Sequence, residues 1–275
     1  MFPNESHSLA RMTVREEIGA LGNRFGELFY SRTIDPEALQ PLARLSVDEA
    51  YIAQDVALDY RFKRGEKIVG YKVGCTSQSI RQQLGLTEPY YGRMTAPHIH
   101  PEKRSPLDWR NFVSLAVEPE LVIRIGRDLD PTKLDDPSLI ECIEAVSVGL
   151  ELHHFKFWLG KPTAQELIAS NGLFAGLVVG TEWISPRMLD FQTERFSVEK
   201  NGMEVVSGLA REIMGGPLSS LRWLATKLAQ RGQIVRAGQL VIPGSPVALV
   251  PIAEDADVTA KITNVGATSA RFRSR

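Results

Sequence analysis

The sequence predicts an α+β fold, because its helix signals and its strand signals lie in different parts of the chain. The first sixty-odd residues carry helix caps and apolar residues at helical spacing. Strand signals dominate from residue 113 onward, and helices interrupt them only at intervals. Strands that cluster in this way indicate an α+β protein rather than a repeating βαβ pattern.

Two capping boxes mark the starts of the N-terminal helices. The first is Thr13-Val14-Arg15-Glu16 and the second is Ser46-Val47-Asp48-Glu49, with Ile34-Asp35-Pro36 as a loop between the two helices. Each cap is followed by apolar residues at helical spacing. These are Ile18, Leu21, Phe25 and Leu28 in the first helix, and Ala50, Ile52, Val56 and Ala57 in the second.

The rest of the chain is predicted to be mainly strands. One strand covers 68–74, and a short helix begins near Thr76 or Ser77. Residues 92–112 are rich in Pro, His and Arg and predict a long loop or lid, whereas residues 271–275 predict a frayed tail. Asn201-Gly202 predicts a type I′ hairpin. The other strands are expected at 113–126, 145–153, 172–183, 195–199, 203–207, 239–242, 246–252 and 257–265, and the other helices at 137–144, 162–169 and 217–231.

Composition restricts the class of protein. The 275 residues permit one large domain or a small segment plus a core domain, and 43% of them are hydrophobic. The net charge of -1 gives no indication of a nucleic-acid or anionic-membrane partner. No apolar run is long enough to span a membrane, and residues 1–7 lack the apolar region of a signal peptide. Cys75 and Cys142 are too few for a disulfide framework or a thiolate zinc site, so we expect a cytoplasmic protein.

Three glutamates lie where a strand is expected to be apolar. Glu118 and Glu120 project from the same face of one strand, and Glu151 lies in another β-rich run. Two carboxylates about 5 Å apart repel by roughly 3 kcal/mol at an effective dielectric near 20, so solvent or a cation must offset the repulsion. Three convergent carboxylates suit Mg²⁺ or Mn²⁺. A solvated strand face is the alternative for a Glu-x-Glu pair alone.

Lys72 is the second candidate, because it lies in an otherwise apolar strand between Gly70 and Gly74. The lysine either reaches the surface or is held near an anion, and glycines allow close approach of a ligand or another backbone. Thr76 and Ser77 at the following helix start offer hydroxyls and backbone N–H groups to an anion. Less specific is Ser245, which either contacts a ligand or belongs to a tight turn in Pro243-Gly244-Ser245-Pro246.

Two histidines follow the third glutamate directly. His153 shares the strand face of Glu151, whereas His154 faces the other way. An imidazole beside the acids is a candidate fourth ligand, general base or outer partner of a ligand. No His-Glu-x-x-His motif, Gly-x-Ser-x-Gly elbow, phosphate-binding loop or Rossmann fingerprint is present. These absences argue against a zinc peptidase, an α/β-hydrolase and a nucleotide-dependent kinase.

Taken together, these segments resemble the 2-keto-4-pentenoate hydratases and 4-oxalocrotonate decarboxylases of the fumarylacetoacetate hydrolase superfamily. The resemblance covers roughly residues 15–265. The segments that carry it are 65–77 around Lys72, 117–121 with 126–129, 149–152, 170–172, 201–202, 215–217, 223–225 and 237–239.

The resemblance implies a helical segment over 1–65 and a mixed β-roll catalytic domain over 66–275. It implies a Mg²⁺ (or Mn²⁺) ion held by Glu118, Glu120 and Glu151, with Lys72 as the active-site lysine. It also implies homo-oligomers that act on small 2-hydroxydienoates or their 2-oxo tautomers in aromatic catabolism. A 2-oxo acid chelating the ion would let it stabilise a developing enolate.

The sequence departs from the family pattern in three places. Tyr90 stands where the hydratases usually have an acid, and an unperturbed phenol titrates about six units above Asp. The usual Asp-Ser-Arg after the third glutamate is His154-Phe155-Lys156, and the usual Asp-Asn is Ser170-Asn171. We therefore expect the metal site and Lys72 to be retained in altered acid–base surroundings. Candidates for the missing base are His153, His154 and Glu88.

These residues leave several functions open. A Mg²⁺-dependent hydratase acting on a 2-hydroxydienoic or 2-oxo acid is the first hypothesis, with Tyr90 and His153 beside Lys72 as candidate catalytic residues. A decarboxylase, a C–C hydrolase, an isomerase or a cyclase acting on a specialised substrate is the second. A non-catalytic partner of an active relative is the third.

Overall fold

The computed structural model describes residues 13–102, 106–158 and 160–274. The expected absence of a signal peptide concerns residues that lie outside this description. Seven α-helices are present in the described part. Their bounds are α1 Val14–Ser31, α2 Pro36–Leu39, α3 Val47–Phe62, α4 Gln78–Leu84, α5 Asp136–Cys142, α6 Ala164–Ala169 and α7 Pro217–Gln230.

Both predicted capping boxes are confirmed. In each, the N-cap hydroxyl accepts the backbone N–H of the third helical residue, and that residue's carboxylate accepts the N-cap N–H. Apolar residues of α1 pack against α3. In α3 the buried face differs from the predicted one at Ile52, which is 39% exposed, because Ala50, Ala53 and Ala57 face the core instead.

Twelve strands form two sheets in the described residues. The larger sheet has the order β2-β1-β9-β4-β5-β6-β3, with β10 paired to β4. The smaller sheet has the order β12-β11-β7-β8. The strands are β1 Ile68–Gly74, β2 Tyr90–Thr95, β3 Ile99–Pro101, β4 Leu115–Ile125, β5 Ile143–His154, β6 Phe174–Val179, β7 Arg195–Lys200, β8 Met203–Leu209, β9 Leu240–Ile242, β10 Val250–Pro251, β11 Ala256–Ile262 and β12 Gly266–Phe272.

The long antiparallel β4–β5 pair lies at the centre of the larger sheet. Its ladder runs from Leu115 opposite His154 to Ile125 opposite Ile143. Strands β11 and β12 of the smaller sheet pack on this pair, so much of the central ladder is buried. The mixture of helices with a curled, mixed sheet confirms the α+β prediction. Asn201 and Gly202 both have positive φ in the β7–β8 connection, as a type I′ turn requires.

The prediction of a loop or lid over residues 92–112 is wrong for its first half. Residues 92–95 belong to β2, which is buried and pairs with β1, and residues 99–101 form β3, which pairs with β6. Arg93 made this segment look exposed, but its guanidinium is buried and satisfied by Asp55 and Gln54 of α3. A charged residue is tolerated in a buried strand when it is paired.

The predicted frayed tail is also wrong for the residues described. Arg271 and Phe272 belong to β12, where Phe272 is fully buried. The Arg273 guanidinium donates to the Ala256 carbonyl and pairs with Asp257. The alternation of small and polar residues in β12 hid the strand, because its buried face contributes only Thr268, Ala270 and Phe272.

The N-terminal helices share a core with the remainder of the chain. Phe25 of α1 packs edge-on against Phe157 and stacks on Trp158, both of which follow β5. Helix α3 contacts α6. The division of the chain at residue 65 stays a prediction. No helix of the described segments is long and apolar enough to cross a membrane.

Candidate metal centre and active site

The β4–β5 register brings two of the three predicted acids face to face. Glu118 lies directly opposite Glu151, and Glu120 lies two residues further along the same strand face, opposite Gly149. Glu151 is 1% exposed and Glu120 is likewise 1% exposed. Carboxylates this deeply buried need charge compensation, because desolvation disfavours their ionised form.

His153 completes the tightest cluster of potential ligands. Its Nε2 lies 3.4 Å from Oε2 of Glu118 and 3.4 Å from Oε2 of Glu151. One ligand atom from each of these three residues falls within 4.8 Å of the other two. The alternation of side chains along β5 produces this arrangement, because residues 151 and 153 point the same way.

Lys72 approaches the same acids from β1. Its Nζ lies 2.6 Å from Oε1 of Glu151 and donates to the Gly172 carbonyl at 3.2 Å. The flanking glycines allow close packing. A Cβ at Gly70 would lie 2.0 Å from the Leu240 carbonyl oxygen, and one at Gly74 would lie 2.5 Å from the Tyr90 hydroxyl. The strand can therefore carry a buried ammonium group directly against the acids.

The charges in the cluster shift one another's pKa values. Burial by itself would raise the pKa of Glu151, but His153 and Lys72 outweigh it and lower that pKa to about 2. Burial would lower the pKa of His153, whereas the Glu151 carboxylate raises it to about 9. An anionic Glu151 between two cations is therefore the stable state of the protein alone.

Glu120 behaves differently from Glu151. Its Oε2 accepts the Gly244 backbone N–H at 3.1 Å. Burial and the nearby charges of Glu151 and Glu118 raise its pKa well above 4.5, and Lys72 offsets this only in part. A carboxyl group in this position becomes a good ligand only when an additional positive charge enters the site.

The residues present fit a hard divalent cation. Oε1 of Glu151 and Nε2 of His153 are buried and have no directed hydrogen-bond partner in the described part of the chain. The close contact between Lys72 and Oε1 is thus an ion pair without hydrogen-bond geometry. Carboxylate oxygens are the ligands that Mg²⁺ and Mn²⁺ prefer, and an imidazole is compatible with Mn²⁺.

A cavity of about 450 Å³ opens onto this cluster. Lys72, Glu118 and His153 line its inner end, and all the other predicted site residues except Glu120 and Glu151 also line it. Those others are Tyr90, Thr76, Ser77 and Ser245. The structure thus brings together predicted site residues from five separate segments of the chain.

Tyr90 is held as a neutral phenol. Burial raises its pKa well above 10, and the charges of nearby acidic groups act in the same direction. Its hydroxyl lies beside the Cys75 thiol, whose own pKa burial raises to about 12. At neutral pH both groups are therefore proton donors rather than bases.

Two of the three candidates for the missing base lie elsewhere. Glu88 pairs with Lys227 of α7 at 2.7 Å and accepts the Trp223 indole N–H at 3.4 Å. His154 packs on the opposite face of the sheet from His153, where its Nδ1 accepts the Val113 N–H. Neither lines the cavity, so His153 is the one of the three that does.

Some contacts that support the cavity were not predicted from the sequence. Asn171 and Arg93 exchange two backbone–amide hydrogen bonds, and this exchange positions Gly172 against Lys72. The apolar walls were also missed, since they come from short helices and loops with too few apolar residues to give a periodic signal. These walls include Ile80, Leu84, Phe155, Leu167, Leu173, Val247 and Leu249.

Several known proteins are similar to this chain over most of its length. A TodF product hydratase from Pseudomonas putida is 28% identical over 253 residues, which cover 90% of this chain and 93% of that protein. A 2-keto-4-pentenoate hydratase from Paraburkholderia xenovorans is 28% identical over 84% of this chain and 85% of its own. A 4-oxalocrotonate decarboxylase from a Pseudomonas species is 27% identical over 92% and 97%. No family model matches the chain.

Solved structures are also similar to this chain. The 4-oxalocrotonate decarboxylase from Pseudomonas putida G7, complexed with magnesium and adipate, superposes with a TM-score of 0.86. It is 26% identical, and the match covers 95% of this chain and 99% of that one. A fumarylpyruvate hydrolase from Pseudomonas aeruginosa, in complex with Mn²⁺ and pyruvate, has a TM-score of 0.60 at 17% identity over 74% and 89%, which shows a shared fold. Over most of its length the chain is therefore similar to 2-keto-4-pentenoate hydratases and 4-oxalocrotonate decarboxylases, and it shares the fold of the fumarylpyruvate hydrolase.

Proposed function

We propose that the protein is a divalent-metal-dependent hydratase acting on a small 2-hydroxydienoic acid or its 2-oxo tautomer. The observation that carries this proposal is the cluster of Glu118, Glu151 and His153 beside the Lys72 ammonium, at the inner end of a cavity. A site of this kind can bind an anionic oxo acid and stabilise negative charge that develops on it. The hydratase names of relatives at 25–28% identity support the same reaction.

Glu118, Glu120 and Glu151 would hold the ion, and His153 would ligate it or orient a ligand. When bound, Mg²⁺ or Mn²⁺ supplies a Lewis acid for the carboxylate and keto oxygens of the substrate. The magnesium complex of the 4-oxalocrotonate decarboxylase supports this assignment of the metal. The raised pKa of Glu120 supports it independently, since like charges surround that residue.

The protein's own groups would orient the substrate and move its protons. Lys72 is buried and fixed by Glu151 and by the Gly172 carbonyl, so its ammonium can pair with a substrate carboxylate or pass a proton during tautomerisation. Tyr90 keeps its proton and can donate it. Thr76, Ser77 and Ser245 line the same cavity and offer hydroxyl groups to the substrate.

We further propose that the enzyme acts as a homo-oligomer in the cytoplasm and serves aromatic catabolism. This part of the proposal follows from the family resemblance. Light scattering on the purified protein tests the assembly, because a monomeric mass would contradict it.

Consumption of 2-hydroxypenta-2,4-dienoate tests the hydratase proposal. The purified protein should remove the absorbance of the conjugated dienol when Mg²⁺ or Mn²⁺ is present and should be inactive after chelation. The hydrated 2-oxo acid should be identified by mass spectrometry. A metal-loaded protein that leaves a panel of such dienoates unchanged would contradict the proposal.

Decarboxylation is the second candidate, and two observations favour it. Tyr90 replaces the acid usual in the hydratases, and a decarboxylase of the family superposes with a TM-score of 0.86. Release of CO₂ from 4-oxalocrotonate, measured under the same metal conditions, distinguishes the two reactions. Mass spectrometry of the products would likewise reveal hydrolysis, isomerisation or cyclisation. Absence of metal binding by calorimetry would favour a non-catalytic partner.

A further inference from the structure

We propose that the outer part of the active-site cavity binds an apolar tail, so that the substrate is a 2-oxo or 2-hydroxydienoic acid with an extended hydrocarbon chain. The inference rests on the proposed function for the polar head of the substrate. It adds a preference for an apolar group at the end of the substrate that lies away from the metal-binding residues.

The cavity is polar at its buried end and apolar at its open end. Lys72 is 2% exposed and His153 is 4% exposed, and both face the inner end. Ile80 is 43% exposed at the opening, where Val247 and Leu249 are half-buried. A ligand that matches this gradient carries its charged group inward and an apolar chain outward.

Helix α4 places both of its apolar residues on the cavity, and only Leu84 also packs against the core. None of its residues is buried, yet Ile80 and Leu84 both line the cavity. Residues four apart share one face of a helix, so α4 presents this apolar face to the cavity. Exposed apolar surface that rims a polar pocket is typical of ligand-binding sites.

The second wall comes from the segment that follows β9. Val247, Ala248 and Leu249 all line the cavity, and of these Val247 and Leu249 are half-buried whereas Ala248 is exposed. The segment begins next to Gly244, whose backbone N–H donates to Glu120. The same segment therefore links the proposed tail site to the acids that would hold the metal.

The size of the cavity supports a longer substrate. Its volume of about 450 Å³ lies in the range of about 300–1,000 Å³ that encloses drug-sized ligands. A five-carbon acid has too few atoms to fill it. Apolar carbons beyond the fifth would cover Ile80, Leu84, Val247 and Leu249, all of which contact the same space.

A distal carboxylate is the alternative occupant of the opening, because Lys161 lies there. Its side chain is exposed, and its Nζ donates to Oε1 of Gln83 at 3.4 Å. An ion pair in contact with water contributes little to affinity, since solvent screens it. The buried and half-buried apolar walls therefore favour a hydrocarbon chain over a second carboxylate.

Calorimetric titration of three unreactive acids into the Mg²⁺-loaded protein tests this preference. The acids are pyruvate, 2-oxooctanoate and 2-oxooctanedioate, which share a head group and differ in the tail. Full burial of a methylene tightens binding about fourfold, equivalent to ~0.8 kcal/mol. Because the opening is only partly enclosed, we expect 2-oxooctanoate to bind at least ten times more tightly than pyruvate and more tightly than the dicarboxylate.

Variants at the opening give a second readout. Val247→Asn and Ile80→Asn should each reduce the affinity ratio of 2-oxooctanoate to pyruvate at least threefold. Both sites are partly exposed, so the fold should tolerate them. Val205→Asn is the matched control, because Val205 is 48% exposed on β8 and does not line the cavity. The control should keep the wild-type ratio.

Two results would overturn the proposed tail site. One is equal affinity for pyruvate and 2-oxooctanoate. The other is tighter binding of 2-oxooctanedioate that Lys161→Met abolishes, which would assign the opening to a carboxylate. A protein that binds none of the three acids with Mg²⁺ would instead contradict the proposed head-group chemistry, and the tail site with it.

Discussion

His153 and His154 are adjacent in β5, yet they face opposite sides of the larger sheet. His153 lies 3.4 Å from carboxylate oxygens of Glu118 and Glu151 and faces the cavity. His154 packs edge-on against Phe29 of α1 at a ring distance of 5.4 Å, and its Nδ1 accepts the Val113 N–H. Both rings are buried to a similar extent, at 4% and 6% exposure.

The two faces of the sheet shift the pKa of a histidine side chain in opposite directions. Although burial lowers the pKa of both rings, Glu151 raises that of His153 to about 9. At His154 burial is reinforced by Arg61 and Arg32, and the pKa falls to about 3. The charges facing a buried histidine thus decide its protonation state, while burial alone does not. One face of β5 therefore carries interacting charged side chains, and the other face packs against α1.

Removal of the ammonium group from the charged face should have the largest effect. Lys72→Met keeps most of the length of the side chain and leaves His153 as the positive neighbour of Glu151 among the described residues. Turnover of 2-hydroxypenta-2,4-dienoate should fall by about 10²–10⁴-fold, the usual contribution of a proton-transferring group. Mg²⁺ binding by calorimetry should persist. Wild-type turnover in this variant would exclude Lys72 from the chemistry.

Glu120→Gln tests whether the buried acids are present to hold a cation. The amide oxygen of Gln can still accept the Gly244 N–H, so the packing should be preserved. At 100 times its dissociation constant, Mg²⁺ should stabilise the wild type by about 2.7 kcal/mol, whereas the variant should gain much less. Thermal unfolding with and without the ion measures the difference. Equal stabilisation of both proteins would exclude Glu120 as a ligand.

Substitution of each histidine in turn tests the comparison directly. In the Mg²⁺-loaded protein, His153→Asn should reduce turnover by about 100-fold with little change in stability, because the ion then compensates the charge of the acids that His153 contacts. His154→Asn should lower the free energy of unfolding by about 1–3 kcal/mol, because the Val113 N–H loses its acceptor and Phe29 loses a packed ring. Chemical denaturation and initial rates measure both quantities. Similar losses of activity and stability in the two variants would contradict a division of roles.

The pH dependence of the free energy of unfolding should show whether His154 is buried in its neutral form. The unfolded chain binds a proton at His154 below about pH 6.5, but the folded protein does so only near pH 3. The contribution of His154 to the free energy of unfolding is therefore complete above pH 6.5. It is lost as the pH falls, by at most about 1.4 kcal/mol per pH unit. His154→Phe should show a shallower loss between pH 6.5 and 4. Identical slopes in the two proteins would exclude a buried neutral His154.

Local patterns in the sequence predicted much of the fold. The capping boxes around Thr13 and Ser46 and the hairpin at Asn201-Gly202 depend on interactions between residues two or three apart, and all are confirmed. Strand β2 was missed because Arg93 looked exposed, although Asp55 and Gln54 of α3 bury it. Contacts between residues that are far apart in the chain leave no pattern in the local sequence.

By itself, the sequence determined that Glu118 and Glu120 share a face and that His153 and His154 do not, because side chains alternate along any strand. Only the tertiary structure decided that Glu118 lies opposite Glu151, since the register of β4 against β5 depends on which faces are buried. The packing of other elements places Lys72 of β1 against Glu151 and Glu88 beside Lys227 of α7. Distances between strands and helices set these electrostatic partners, and no spacing along the chain encodes them.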